Sequence, residues 1–177
     1  MNRVSAIQQI EQYFDQDEFF SELSRRVKVR TESQIPDQQV NLFKYLEDEI
    51  AASLVDLGFR YTIEQNPIEG GGPVLIAERV EDPSFTTVLT YGHGDVVRGY
   101  DDQWRQGLNP WILTREGDRW FGRGTADNKG QHTINLAALR CVLACRGCLG
   151  FNIKILIETG EEVGSLSLIH ISEPTRP

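Results

Sequence analysis

The sequence has few of the residues that indicate a secreted, membrane-bound or nucleic-acid-binding protein. Only three of its 177 residues are cysteine, and an odd, clustered set is a poor basis for a disulfide framework. Acidic residues outnumber basic ones by 26 to 18, whereas nucleic-acid binding usually requires a basic face. No apolar run approaches the roughly 18 residues of a membrane helix, and the N-terminus lacks the pattern of a signal peptide. We therefore expect a cytoplasmic protein with neither a membrane nor a nucleic-acid partner.

The hydrophobic pattern predicts a mixture of helices and strands. Apolar residues recur at helical spacing near the N-terminus, and short β-branched or apolar runs follow. This order predicts an α/β fold, which we interpret as a partial three-layer αβα domain with a mainly parallel sheet. The predicted helices cover residues 4–27, 36–58 and 129–146, and the predicted strands cover residues 59–65, 74–79, 86–91 and 151–158.

Three polar clusters stand out along the chain, at residues 91–97, 122–130 and 158–164. The first and third directly follow predicted strands, and the second is a glycine-rich loop that enters a predicted helix. In an open α/β sheet, ligands bind beyond the carboxyl ends of the strands. We therefore expect the three clusters to meet at one edge of the sheet.

The side chains in these clusters are of the types found in hydrolytic metal sites, since imidazole and carboxylate groups are suitable ligands for zinc. His93 and Asp95 are two positions apart, so Asp95 could accept a hydrogen bond from the far nitrogen of the imidazole. Asp127 has two oxygens and could bridge two ions about 3.5–4 Å apart. The adjacent Glu161 and Glu162 should not both stay charged without a cation, so one is expected to bind metal and the other to act as a base.

Each cluster alone has a simpler interpretation. A His-x-Asp pair or two adjacent glutamates can be solvated surface groups, and Gly-Arg-Gly can be a turn. The order, the spacing and the placement at strand ends together favour a site.

Three cysteines and one histidine in or just after the last predicted helix allow other interpretations. Cys141, Cys145 and Cys148 have the spacing of an iron–sulfur motif. However, Cys141 and Cys145 continue the apolar stripe of the helix, which favours buried side chains without a cluster. His132 is expected to be a surface or supporting residue and not a ligand.

The segment 91–165 resembles the signature motifs of the M20 family of metallopeptidases and amidohydrolases. This family includes aminoacylases, deacylases of the ArgE and DapE type, carboxypeptidase G-type enzymes and carnosinase-type dipeptidases. The resemblance implies a zinc-exopeptidase-like catalytic domain in which His93 binds one metal, Asp127 bridges both and Glu162 binds the second. It also implies a cis peptide after Asp127.

The catalytic roles follow from the same resemblance. Glu161 would be the general base, and Asp95 would orient His93. The implied reaction is hydrolysis of a small amide or peptide substrate, of the N-acyl amino acid or dipeptide type, by water activated between two Zn²⁺ ions, with Co²⁺ or Mn²⁺ as alternatives. A non-catalytic metal-binding scaffold on the same fold is the alternative, and the presence of Glu161 favours the enzyme.

The resemblance also sets expectations about the extent of the chain. The family has a further acidic ligand, a late histidine and a lid or dimerisation domain, all of which would lie beyond residue 177, and the parent protein could be a homodimer. We expect residues 1–165 to be the N-terminal part of the catalytic domain and the chain alone to be inactive. Residues 166–177 resemble the translation of a sequencing adapter and are expected to be non-native.

Overall fold

A four-stranded sheet packed against helices forms the frame of the computed structural model, which describes residues 3–165. The predicted non-native tail therefore lies outside the described residues. The helices are α1 (Arg3–Asp15), α2 (Glu18–Lys28), α3 (Gln39–Lys44), α4 (Ala52–Asp56) and α5 (Lys129–Arg146). The strands are β1 (Arg60–Glu64), β2 (Val74–Arg79), β3 (Thr87–His93), β4 (Thr114–Glu116), β5 (Arg119–Phe121) and β6 (Asn152–Glu158). Pro36–Gln38 and Glu161–Val163 are 3-10 helical, and the π-helical segment Tyr45–Ala51 joins α3 to α4.

The main sheet has the strand order β1-β2-β6-β3, and it is mixed. The β1–β2 and β2–β6 pairings are antiparallel, and only the β6–β3 pairing of this sheet is parallel. The α/β class is confirmed, but the expectation of a mainly parallel sheet is wrong for the described residues. The connection 65–73 is too short for the crossover that a parallel β1–β2 pair would need, whereas the β3–β6 connection contains α5.

Helices cover one face of this sheet in the part of the chain that the structure describes. Alternate residues of β2 and β6, such as Leu75 and Ile155, are buried against Leu46 and Leu136 of the helices. On the opposite face, Leu89 is 70% exposed. The described residues thus contain two of the three expected layers.

The helix predicted over residues 4–27 is interrupted. Asp17 adopts a left-handed conformation with φ of 61° between α1 and α2, which lets the chain turn and start a second helix. Within residues 3–165, no helix combines the length and apolar character needed to cross a membrane.

Between β3 and α5, the chain forms a small hairpin, β4–β5, around the turn at Gly117. Trp120 on β5 stacks on Phe14 of α1 with ring centroids 5.6 Å apart and meets Phe20 of α2 edge-on at 5.2 Å. This aromatic contact anchors the hairpin, and the chain then runs directly from it into the glycine-rich loop before α5.

A buried ion-pair cluster joins α1, α2 and α5. The Glu22 carboxylate pairs with Arg26, which is fully buried, at 2.7 Å and with Arg140 at 3.1 Å, and it accepts a hydrogen bond from Tyr13. Burial tends to raise the pKa of Glu22, but the hydrogen bond from Arg140 and the positive charge of Arg26 outweigh this effect. The pKa of Glu22 is therefore below its ordinary value of 4.5.

We predict that Glu22→Gln lowers the free energy of unfolding at pH 7 by about 3–5 kcal/mol, because Arg26 keeps a buried, uncompensated charge. A carboxyl group whose folded-state pKa is depressed stabilises fully above its ordinary pKa of 4.5, and this stabilisation is lost as the pH falls through the folded value. The difference in the free energy of unfolding between the unmodified chain and Glu22→Gln should therefore narrow as the pH falls through the folded-state pKa of Glu22. Urea unfolding at several pH values measures this, with the exposed Glu18→Gln as control. A gap that is absent at pH 7, or that widens in acid, would contradict the prediction.

Candidate metal site

The carboxyl ends of two paired strands bring two of the polar clusters together. His93 ends β3 and pairs in parallel register with Glu158, which ends β6. The segments that follow these strands therefore leave the sheet side by side. Asp127 comes from the loop that precedes α5, and its peptide bond to Asn128 is cis, as the resemblance implies.

The side chains predicted as ligands and base are gathered around the His93 imidazole. Its Nε2 lies 2.9 Å from Asp127 Oδ1 and 3.9 Å from Glu161 Oε2. His93, Glu161 and Glu162 each offer a ligand atom, and these atoms all lie within 4.8 Å of one another. The His93 side chain is 5% exposed, whereas the Asp127 side chain is 75% exposed, so the site has a buried floor and an open rim.

Asp95 is fully buried and links the imidazole to the acidic loop. Its Oδ1 lies 3.4 Å from His93 Nδ1, although the ring nitrogen is closer, at 3.1 Å, to the backbone oxygen of Asp95. The same carboxylate accepts hydrogen bonds from the backbone N–H groups of Glu161 and Glu162, at 3.2 and 3.1 Å. Asp95 was predicted only to orient His93, but it also holds both glutamates in place.

Both ring nitrogens of His93 face oxygen atoms. Burial tends to lower the pKa of His93, but the hydrogen bond and charge of Asp95, together with Asp127 and Glu161, raise it to about 9. A metal ion has to displace the proton from the nitrogen it binds. Since Nδ1 faces the buried Asp95, Nε2 is the nitrogen that points to the open carboxylates.

The charge balance of this group of side chains fits a divalent cation. Burial and the negative charges of Asp127, Asp95 and Glu161 raise the pKa of Glu162, and the His93 charge opposes this. Crowded carboxylates of this kind are stable in the charged form only when a cation offsets them. Imidazole and carboxylate oxygens together match the preferences of zinc and related metals.

Several supporting residues were not foreseen from the sequence. The Lys129 ammonium is fully buried and donates to the carbonyl oxygens of Arg26 and Val29 at the end of α2, at 2.9 and 2.6 Å. The buried Glu158 carboxylate accepts from the Tyr91 hydroxyl at 2.5 Å. The position of Glu158 at the end of a predicted strand was the only sequence feature that could have indicated one of these residues. The contacts of Lys129 join distant parts of the chain, so no local pattern indicates them.

His132 and the cysteines have supporting or packing positions. His132 is 3% exposed and is therefore a buried supporting residue and not a surface one. Cys141 and Cys145 are buried and Cys148 is exposed. This agrees with the interpretation of the first two as part of the apolar stripe of α5.

Comparisons with known proteins agree with the motifs. Residues 89–176 match the model of peptidase family M20/M25/M40. Human Beta-Ala-His dipeptidase is 34% identical over 183 residues, which cover 94% of this chain and 35% of that protein. The crystal structure of human carnosine dipeptidase 1 superposes with a TM-score of 0.84 at 32% identity and covers 94% of this chain and 36% of that one. For the dipeptidase Dug1p of Saccharomyces cerevisiae the TM-score is 0.82 at 26% identity, covering 95% of this chain and 36% of that one.

The chain spans about a third of the length of the curated relatives it matches. The family match at residues 89–176 nevertheless includes His93, Asp127 and Glu162. Residues 89–176 belong to peptidase family M20/M25/M40, and the chain is similar to dipeptidases over 94% of its length.

Proposed function

We propose that this chain carries part of the active site of a two-metal dipeptidase, which hydrolyses the peptide bond of a small substrate. The observation that carries the proposal is the gathering of His93, Asp127, Glu161 and Glu162 at one edge of the sheet, with the ligand atoms of His93, Glu161 and Glu162 within 4.8 Å of one another. The names of the relatives, which are dipeptidases, support a dipeptide as the substrate.

The ligand roles are those that the family resemblance implies. His93 would bind the first ion through Nε2, Asp127 would bridge the two ions with its exposed carboxylate, and Glu162 would bind the second. When bound, zinc ions would supply Lewis acidity and lower the pKa of water. Asp95 would keep the imidazole and both glutamates in register through its contacts with the ring and with their backbone N–H groups.

Glu161 would be the general base. Its side chain is 43% exposed and its Oε2 faces the same space as His93 Nε2, so it can reach both water and substrate. It would take a proton from the attacking water and deliver it to the leaving amine. Asp95 holds its backbone in place, which limits the positions its carboxylate can adopt.

The described residues supply too few ligands for two complete zinc sites. A catalytic zinc usually has three protein ligands and a water, whereas His93, Asp127 and Glu162 would have to serve two ions. We therefore predict that the 177-residue chain binds Zn²⁺ weakly and does not hydrolyse dipeptides. Calorimetric titration with Zn²⁺ measures this, and two tight sites would contradict it.

We propose, as the resemblance implies, that the chain is part of a longer parent protein, and the function itself is tested on that parent. We expect this protein to hydrolyse dipeptides such as β-Ala-His, to lose the activity when a chelator removes its metal, and to regain it with Zn²⁺, Co²⁺ or Mn²⁺. A metal-replete protein that cleaves no dipeptide, or whose activity survives complete metal removal, would overturn the proposal.

A further inference from the structure

A buried hydrogen bond between Tyr45 and His132 lies behind the candidate metal site. The Tyr45 hydroxyl is 2.5 Å from His132 Nε2, and the two side chains are 0% and 3% exposed. Tyr45 begins the π-helical segment that joins α3 to α4, and His132 lies in the first turn of α5. Neither residue is one of the ligands or the base described above.

The hydrogen bonds of His132 lead to the backbone of the first ligand. His132 Nδ1 is 3.4 Å from Asn128 Oδ1, and the same oxygen accepts from the His93 backbone N–H at 3.3 Å. The amide nitrogen of Asn128 donates to Gln131 at 2.6 Å. Since Asn128 Oδ1 can only accept, His132 Nδ1 has to donate, and Nε2 then accepts from the Tyr45 hydroxyl.

The surroundings keep this imidazole neutral. Burial lowers the pKa of His132 well below its ordinary value, and the positive charges of Arg26, Lys129 and His93 lower it further. The Tyr45 hydroxyl therefore donates to His132 Nε2, and His132, as the neutral Nδ1–H tautomer, donates to Asn128 Oδ1.

Tyr45 also supports the site from a second side. A Cβ added to Gly94 would lie 2.7 Å from two carbons of the Tyr45 ring, so the ring packs directly against the backbone between His93 and Asp95. The Lys129 ammonium lies 4.8 Å from the centre of the same ring. One side chain thus contacts the loop after β3 and the start of α5.

We propose that Tyr45 and His132 are positioning residues, which hold the His93 loop and the Asp127–Asn128 segment in their relative places before any metal binds. The positioning role rests on the proposed function, since it assumes that these two segments carry metal ligands. The contacts themselves exist without metal, so they can be tested in the metal-free chain.

The main test compares Tyr45→Phe with Tyr61→Phe. Each variant removes one hydroxyl, but the Tyr61 hydroxyl donates to Glu47 on the surface at 3.0 Å. In Tyr45→Phe, His132 Nε2 loses its hydrogen-bond donor. The imidazole of His132 is then less well fixed and positions Asn128 less precisely. We expect hydrogen exchange of the His93 amide in the metal-free chain to accelerate about five- to tenfold, as for one lost hydrogen bond, with little change in Tyr61→Phe.

Two further measurements separate positioning from general stability. Nitrogen-15 spectra of the imidazole rings should show the Nδ1–H tautomer for His132 in the unmodified chain, and only three histidines contribute to these spectra. The amides of the buried strand β6, such as Ile155, should exchange at unchanged rates in Tyr45→Phe. The inference would be overturned if exchange in Tyr45→Phe rose uniformly across the core or did not change at the His93 amide. The Nε2–H tautomer of His132 in the unmodified chain would also overturn it.

A second variant and a metal titration complete the design. His132→Gln retains a donor and an acceptor, so its His93 exchange rate should lie between those of the unmodified chain and His132→Leu. This comparison also decides the inference if Tyr45→Phe does not fold. In the parent protein, zinc affinity should fall about 10- to 100-fold in Tyr45→Phe, as for other groups that orient ligands. If the metal-replete parent protein cleaved no dipeptide, the proposed function would fail, while the tautomer and exchange results in the metal-free chain would still decide this inference.

Discussion

Asp127→Asn should weaken zinc binding by the parent protein about 100-fold or more. An asparagine oxygen is a neutral and poorer donor, and one amide cannot bridge two cations as a carboxylate can. The substitution is nearly isosteric, and the Asp127 side chain is 75% exposed, so the fold should be unaffected. Competition with a chromophoric chelator measures the affinity.

The matched control for this variant is Asp118→Asn. Asp118 is an exposed aspartate in the turn between β4 and β5, and it is not one of the predicted ligands. Zinc affinity should be unchanged in this variant. If Asp118→Asn and Asp127→Asn bound zinc equally well, the zinc would be held by general surface charge, and the ligand role of Asp127 would be wrong.

The second large effect separates the two adjacent glutamates. Glu162→Gln should lose zinc affinity, whereas Glu161→Gln should keep most of it and lose about 10²- to 10⁴-fold in the rate of hydrolysis, which is the range for removal of a general base. The reason is that only a ligand has to stay charged to hold the metal, while the base has to accept a proton in the transition state. Zinc titration and rate measurements on both variants of the proposed parent protein give the two quantities.

The geometry makes this pair a sharp test. Ligand atoms of both glutamates lie in the same cluster around His93, and the backbone N–H groups of both are held by Asp95. The two variants therefore share their loop, their anchor and the size of the substitution. If Glu161→Gln were the variant that lost the metal, the two roles would be exchanged. If neither variant changed binding or rate, the acidic loop would lie outside the reaction.

The clusters that form the site could be predicted because each one is marked locally. An apolar run that ends just before His93, or at Glu158, shows where a strand stops, and the glycines around Asp127 show a loop that enters a helix. The N-terminal helices were harder to place because the break at Asp17 depends on one left-handed residue. The sheet was harder still, since the direction of β2 relative to β6 is set by a long-range pairing and not by the composition of either strand.

The amino-acid sequence alone was sufficient to predict the types and order of the candidate ligands, the α/β class and the family. These features depend on patterns within short segments. Other features appeared only when the chain was folded, because they join residues far apart in the sequence. Tyr45 and His132 are 87 positions apart, and Lys129 is 103 positions from the carbonyl of Arg26 that it binds. The grip of Asp95 on Glu161 and Glu162 spans 66 and 67 positions. No local periodicity reports such contacts, because burial and hydrogen-bond partners are set by the packing of the whole domain.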